Sequence, residues 1–121
     1  MKVTIFDKNG NPSLVLLKNG RLVNFDGRSI GFLYGNSVYD YNGSHRGWLE
    51  SGVLRDHDGY CVGVVRGART ISTPIFPVTK VAPVIGITEI EPIKPIKAIK
   101  PVSPIKKIGW SDFSPLSLFN L

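Results

Sequence analysis

Three stretches of this chain, NFDGRSIGFLYGNSVY (24–39), DYNGSHRGWLESGVLR (40–55) and DHDGYCVGVVRG (56–67), align without a gap, and this sixteen-residue repeat limits the possible folds most severely. Gly27, Gly43 and Gly59 coincide, as do Gly31, Gly47 and Gly63. The apolar pairs Phe32-Leu33, Trp48-Leu49 and Val64-Val65 follow in register. An earlier copy around KNGNPSLVLLKNGRLV aligns with one inserted residue, so the first part of the chain is about four copies of one unit. Asn-Gly, Asp-Gly, Gly-Asn and Ser-Gly pairs fall between short apolar runs: VTIF, LVLL, RLVNF, IGFLY, SVYDY, RGWL, VLRD and CVGVV. Such pairs supply the positive φ angles that tight hairpins need, so the runs predict about eight short antiparallel strands in a meander, with no helix. A glycine recurring in mid-strand (Gly31, Gly47, Gly63) predicts a bulge, a bend or a backbone crossing closely above it.

A body of this size in short strands buries little and ordinarily needs a staple, a metal or a partner. Cys61 is the one cysteine, which excludes an intrachain disulfide and a cysteine-based zinc site. Burial must come from the rest of the chain or from other copies.

The rest of the chain has a different period. Read in triplets from Pro74, the middle residue is Ile75, Val78, Val81, Val84, Ile87, Ile90, Ile93, Ile96, Ile99, Val102, Ile105 and Ile108. The prolines rule out an α-helix, and a flat strand would throw these residues to alternate faces. Polyproline II, with three residues per turn, places them on one ridge. A straight segment of this kind would be about 110 Å long, so it must bend around something or project as a stalk. A projecting ridge would leave its apolar residues in water, so the expectation is that it packs on the β-body or on other copies of the chain. A flexible linker has no reason to keep a β-branched residue in register twelve times. The P-x-x-P-x-K matches at Pro92–Lys97 and Pro101–Lys106 arise automatically from proline and lysine at period three, and an SH3-type ligand is set aside. The closing GWSDFSPLSLFNL, with Trp110, Phe113, Leu116, Leu118 and Phe119, is expected to dock as a cap.

Candidate chemistry centres on RDHDGYC, where Asp56, His57, Asp58 and Cys61 lie close together. The repeat gives them a structural reading: His57 occupies the slot of Phe25 and Tyr41, Asp56 that of Asn24 and Asp40, and Asp58 that of Asp26 and Asn42. If Asp58-Gly59 is a two-residue turn, His57 pairs with Tyr60 and Cys61 with Asp56, which sends the His and Cys side chains to opposite faces and disfavours a dyad. The fragment also fails as a calcium loop, since Leu54 and Val65 stand where ligands are required. His45 has no second histidine or glutamate at ligand spacing. Tyr41, Arg46, Trp48 and Arg55 could stack single-stranded nucleic acid, but core packing of Trp48 is preferred. No catalytic, metal-binding or cofactor-binding residue is assigned, and no cofactor is expected.

The run YDYNGSHRGWLESGVLRDHDGYCV, followed by a KPIK-type repeat and a GWS near the end, resembles the four-fold β-flower family, small bacterial proteins of glycine-punctuated hairpins with a Lys/Pro/Ile tail. The resemblance covers about residues 1–112 and implies an all-β, symmetric assembly with no catalytic residues to transfer. Together these readings give an all-β chain: a hairpin-repeat domain (1–73), an extended polyproline-II/β segment with period-three Ile/Val (74–109) and an aromatic C-terminal cap (110–121). The expected function is non-enzymatic self-assembly into a homo-oligomer, a tetramer as first guess. Its packing ridge would be Ile87, Ile90, Ile93, Ile96, Ile99, Val102, Ile105 and Ile108. The alternative is a module for an anionic polymer or a membrane surface, using Lys94, Lys97, Lys100 and Lys106; the net charge of +6 permits it, but nucleic acid is disfavoured. The apolar stretch from Ile75 to Ile90 is too interrupted to span a membrane, and a cytoplasmic location is expected.

Overall fold

The computed structural model describes residues 3–68, 74 and 78–119. Eight strands follow in chain order: β1 Val3–Phe6, β2 Pro12–Leu16, β3 Arg21–Val23, β4 Ser29–Tyr34, β5 Ser37–Asp40, β6 His45–Glu50, β7 Val53–Arg55 and β8 Cys61–Val65. Each expected apolar run forms one of them. Every strand pairs antiparallel with its neighbour, and β8 returns to β1 through Ile5↔Val65 and Phe6↔Val64, so the meander closes into a barrel. Closure removes the open edges that would template aggregation.

The repeat resolves into two kinds of hairpin. At one end of the barrel, Gly35-Asn36 and Ser51-Gly52 make two-residue connections between Tyr34 and Ser37 and between Glu50 and Val53. The one inserted residue of the first copy falls here, since Leu17 and Arg21 flank three residues. At the other end, four loops share one construction. Asp7, Asn24, Asp40 and Asp56 each accept, on the side-chain Oδ1, the N–H groups two and four residues on, at 2.9–3.0 Å. The glycine three residues on (Gly10, Gly27, Gly43, Gly59) has φ between 81° and 91°, a conformation that favours glycine. The expected two-residue turn at Asp58-Gly59 is therefore corrected. Asp56 bonds Tyr60 and Arg55 pairs with Cys61, because the Asp56 side chain organises a three-residue loop.

The mid-strand glycines lie opposite Leu22, Val38 and Leu54, each at the edge of a β-bulge. A Cβ at Gly47 would collide with the Arg55 carbonyl, and one at Gly31 with both the Tyr39 carbonyl and the Phe119 ring. The bulge and the close backbone approach expected from the sequence are both present.

The aligned apolar pairs divide between the two faces of the sheet. Leu33, Leu49 and Val65 point into the barrel with Ile5, Leu14 and Leu22, whereas Phe32, Trp48 and Val64 are buried on its outer side. A short 3-10 turn, Ser117–Phe119, places Leu118 and Phe119 in the interior cluster. Pro115 is fully buried beside them, while Phe113 and Leu116 are 42% and 43% exposed.

Between the barrel and this plug the chain makes one circuit around the loop end. Lys80, Glu89, Ala98 and Lys107 donate their N–H groups to the carbonyls of Gly10, Gly27, Gly43 and Gly59 at 2.9, 3.0, 2.9 and 3.1 Å. The tail therefore advances nine residues for every hairpin unit. Nine extended residues reach about 28 Å, enough to pass one quarter of the circumference outside the strands. From Lys80 to Lys107 the tail spans three such intervals, three triplets to each. The alternative of bending around something, rather than projecting, is the one realised, and what it bends around is the chain's own barrel.

Proline placement follows from these bonds. The first residue of each triplet is proline at 74, 77, 83, 92, 95, 101 and 104, and is another residue at 80, 86, 89, 98 and 107. All five exceptions donate an N–H to the barrel, Gly86 to the Phe25 carbonyl at 2.9 Å. Proline lacks that donor, so it is excluded where the barrel needs one and elsewhere stiffens the segment before it folds. Ala98→Pro should therefore lower unfolding free energy by about 1–3 kcal/mol, while Pro95→Ala should stay within about 1 kcal/mol of the parent. Urea denaturation followed by far-UV circular dichroism measures both.

Candidate functional site: the girdle and its outward belt

The girdle is held by its backbone. Besides the four N–H donors, its carbonyls are gripped from the barrel at the same nine-residue spacing. Arg21 Nη2 donates to the Glu89 carbonyl, Tyr39 Oη to Ala98 at 3.1 Å, and Arg55 Nη1 to Lys107 at 3.0 Å. Arg55 Nη1 also reaches the Gly59 carbonyl of its own loop at 2.7 Å. Burial pulls the Arg55 guanidinium below its ordinary range. The carbonyls of Val78, Ile87, Ile96 and Ile105 press against the four loop glycines, where any side chain would collide with them.

With its backbone turned inward, the girdle sends the middle residue of each triplet outward. From Val78 to Ile105 these side chains are 85–98% exposed, and Ile108 is 71% exposed. The sequence placed the ridge Ile87, Ile90, Ile93, Ile96, Ile99, Val102, Ile105 and Ile108 against the body or other copies. Packing on the chain's own body is corrected, because the residues turned toward the barrel come from the first and third triplet positions instead: Thr79, Ala82, Ile85, Pro95, Lys97 and Pro104 are half-buried, while no middle residue from Val78 to Ile108 is. Ile75 lies outside the described residues.

The lysines are more engaged than an open basic face would be. Lys97 Nζ lies 4.5 Å from the Tyr34 ring centre, and Lys94 Nζ lies 5.5 Å from that of Phe32 and 3.8 Å from the Glu91 carboxylate. Lys100 and Lys106 are exposed. The aromatic and arginine residues proposed for nucleic-acid stacking are also engaged within the chain. Trp48 is 5% exposed, Arg46 pairs with Asp40 at 2.7 Å, and Tyr41 donates to Glu91 at 2.8 Å. Burial and that bond to Glu91 raise the Tyr41 pKa above its usual range.

The RDHDGYC cluster separates as a structural position would. Asp56 caps its loop with one oxygen and accepts from Ser111 Oγ at 2.5 Å with the other, tying the chain after the girdle to the barrel. Cys61 is fully buried; burial pushes its thiol up to about 12, and it forms a parallel bridge with Trp110. His57 meets His45, with 2.9 Å between Nε2 of His57 and Nδ1 of His45. This pair was missed in the sequence. Twelve residues separate the two rings, and adjacent loops of the closed barrel bring them together. A signal was present, since both histidines belong to the same end of consecutive units.

His45 packs edge-on against Tyr39 and Trp48, and its Nε2 is buried without a partner. Burial first, then His57 and Lys100, pull its pKa down to about 4. Among the described residues no group of three or more His, Cys, Asp or Glu could hold a metal, and no helix is long and apolar enough to cross a membrane. A cleft of about 450 Å³ lined by Ser29, Ile30, Ser114, Leu116, Ser117 and Phe119 carries no titratable side chain among these residues.

An eight-stranded hairpin barrel pinned inside one lap of its own proline-rich tail is a self-girdled β-repeat protein. The family model described as 4-fold beta flower protein matches residues 3–119, and the chain belongs to that family. No curated protein and no solved structure matches it.

Two outcomes test this geometry. The His45 pKa is lower folded than unfolded, so the unfolded chain binds more protons between about pH 6.5 and 4. The contribution is complete above pH 6.5 and is lost as pH falls through that window, by at most about 1.4 kcal/mol per unit. Thermal melts should show this slope, and His45→Phe, which keeps the aromatic packing, should flatten it. Cys61 should resist a thiol reagent at pH 8 in the native chain and react at once in denaturant.

Proposed function

We propose that the protein is a non-enzymatic assembly module in which the girdle holds a polyproline-II-like path and copies of the chain associate through the outward Ile/Val belt. A closed symmetric homo-oligomer suits a barrel built from four like units, and a tetramer is the first arrangement to test. The observation that carries the reading is the belt: eleven β-branched side chains, all at least 71% exposed, follow one continuous line around the molecule. Soluble monomers rarely keep so long an apolar line in water, and its register is kept by the same triplets that pin the backbone. Buried Cys61 and the loop-capping role of Asp56 support a structural reading of that cluster.

The basic alternative, through Lys94, Lys97, Lys100 and Lys106, is less favoured because two of the four already lie over aromatic rings of the barrel.

Light scattering after size exclusion, over a range of concentrations, checks the assembly. The full chain should run as a discrete oligomer. Replacing Ile93, Ile96 and Ile99 together by serine should raise its dissociation constant by about two orders of magnitude or more without altering the fold, since each buried isoleucine is worth about 1.5–3 kcal/mol. A parent chain that stays monomeric at every concentration overturns the proposal. Salt-sensitive binding to anionic vesicles or DNA, lost when the four lysines become glutamine, would support the alternative instead.

A further inference from the structure

We infer that the barrel is a receptor for extended peptides, with a backbone-reading clamp repeated on three of its four units, and that the clamps accept the tail of a second copy as well as the chain's own. Each clamp takes one residue by both ends of its peptide groups. Glu89, Ala98 and Lys107 donate an N–H to a loop glycine carbonyl and offer a carbonyl to Arg21, Tyr39 or Arg55. Lys80 supplies the N–H half of the same contact at Gly10.

The clamped residues are a lysine, a glutamate, an alanine and another lysine; Glu89 Oε1 also accepts from the Ser29 N–H and Lys80 Nζ donates to Asn11 Oδ1, both at 2.7 Å, but the backbone contact is what all four share. The barrel selects a backbone that is extended, has a free N–H every ninth residue and is stiffened by proline between. The ligand class is therefore a peptide of repeated nonads in which proline is allowed at the first position of two triplets and forbidden at the first position of the third. PIKPIKAIK, residues 92–100, is one such nonad. A second copy brings the same backbone and the same Lys80 and Glu89 side chains, so nothing in a clamp distinguishes the chain's own tail from a neighbour's. Only the covalent link favours the intramolecular choice, by raising the local tail concentration. The belt side chains point away from the clamps, so this inference does not rest on the assembly reading.

A protease site inserted between Ala68 and Pro74, in an otherwise full chain, tests it. The cut protein is unfolded in urea and refolded with a tenfold excess of fluorescein-labelled synthetic peptide spanning residues 78–119, and the label retained with the barrel is measured after gel filtration. The expected result is incorporation of the labelled tail roughly in proportion to its excess. A peptide carrying proline in place of Glu89, Ala98 and Lys107 should compete at least about tenfold less well, since three backbone donors are lost. A peptide with Pro92, Pro95 and Pro101 changed to alanine should compete within about tenfold of the parent, the limit set by lost stiffness alone. No incorporation, or equal competition by the proline-substituted peptide, overturns the inference. Refolding in the presence of peptide keeps the test valid if cutting alone unfolds the barrel. Ile93, Ile96 and Ile99 changed to serine in the peptide should leave incorporation intact, which separates this result from any failure of belt association.

Discussion

Four backbone bonds hold this architecture together: the N–H groups of Lys80, Glu89, Ala98 and Lys107 on the carbonyls of Gly10, Gly27, Gly43 and Gly59. They make two unrelated periods commensurate. A hairpin unit advances the barrel by a quarter turn, and nine extended residues cover the same arc outside it. Each loop must present a bare glycine, because the tail carbonyl lies where a Cβ would stand. Each loop must also be rigid, which the Asp or Asn three residues earlier provides through its side-chain bonds. The small barrel thereby gains a second layer without a disulfide or a metal.

That attachment explains an inversion of the usual burial pattern. Backbone polar groups of an extended segment need partners, and in the girdle the barrel supplies them at the inner face. The prolines have no N–H to satisfy and so sit between the clamps without penalty. With the backbone bonds and several first- and third-position residues turned inward, the middle position has the outer face left. The most hydrophobic residues of the tail are consequently the most exposed, and the half-buried positions include a lysine and a threonine. Assembly through the belt and clamping of the backbone then occupy opposite faces of one segment, so each can act without disturbing the other.

The eight strands were readable because each short apolar run is bounded by turn chemistry, and the alignment of Asp56 with Asn24 and Asp40 marked it as a structural position, which the loop bonds make it. The register at Asp58-Gly59 differs from that of a two-residue turn because Asp56 and Gly59 together define the loop, and the Asp-Gly pair by itself does not report the Asp56 side-chain bonds. The His45–His57 contact left only a faint trace in the sequence, the placement of both histidines at the same end of consecutive units, since the contact itself depends on which loops become neighbours. The clamp positions were within reach. The absence of proline at 80, 89, 98 and 107 has the same nine-residue spacing as the contacts, although Gly86 also interrupts the prolines and the isoleucines repeat at three, which masks the nonad.

By itself the sequence determined the strand content, the punctuation of the hairpins and the existence of a period-three ridge, because each depends on the conformational preferences of residues near one another in the chain. Tertiary structure alone decided that β8 would close on β1, that the tail would encircle the barrel, and that the ridge would face outward. Those outcomes depend on long-range pairing of N–H and carbonyl groups, which every residue except proline carries alike and which side-chain hydrophobicity does not report.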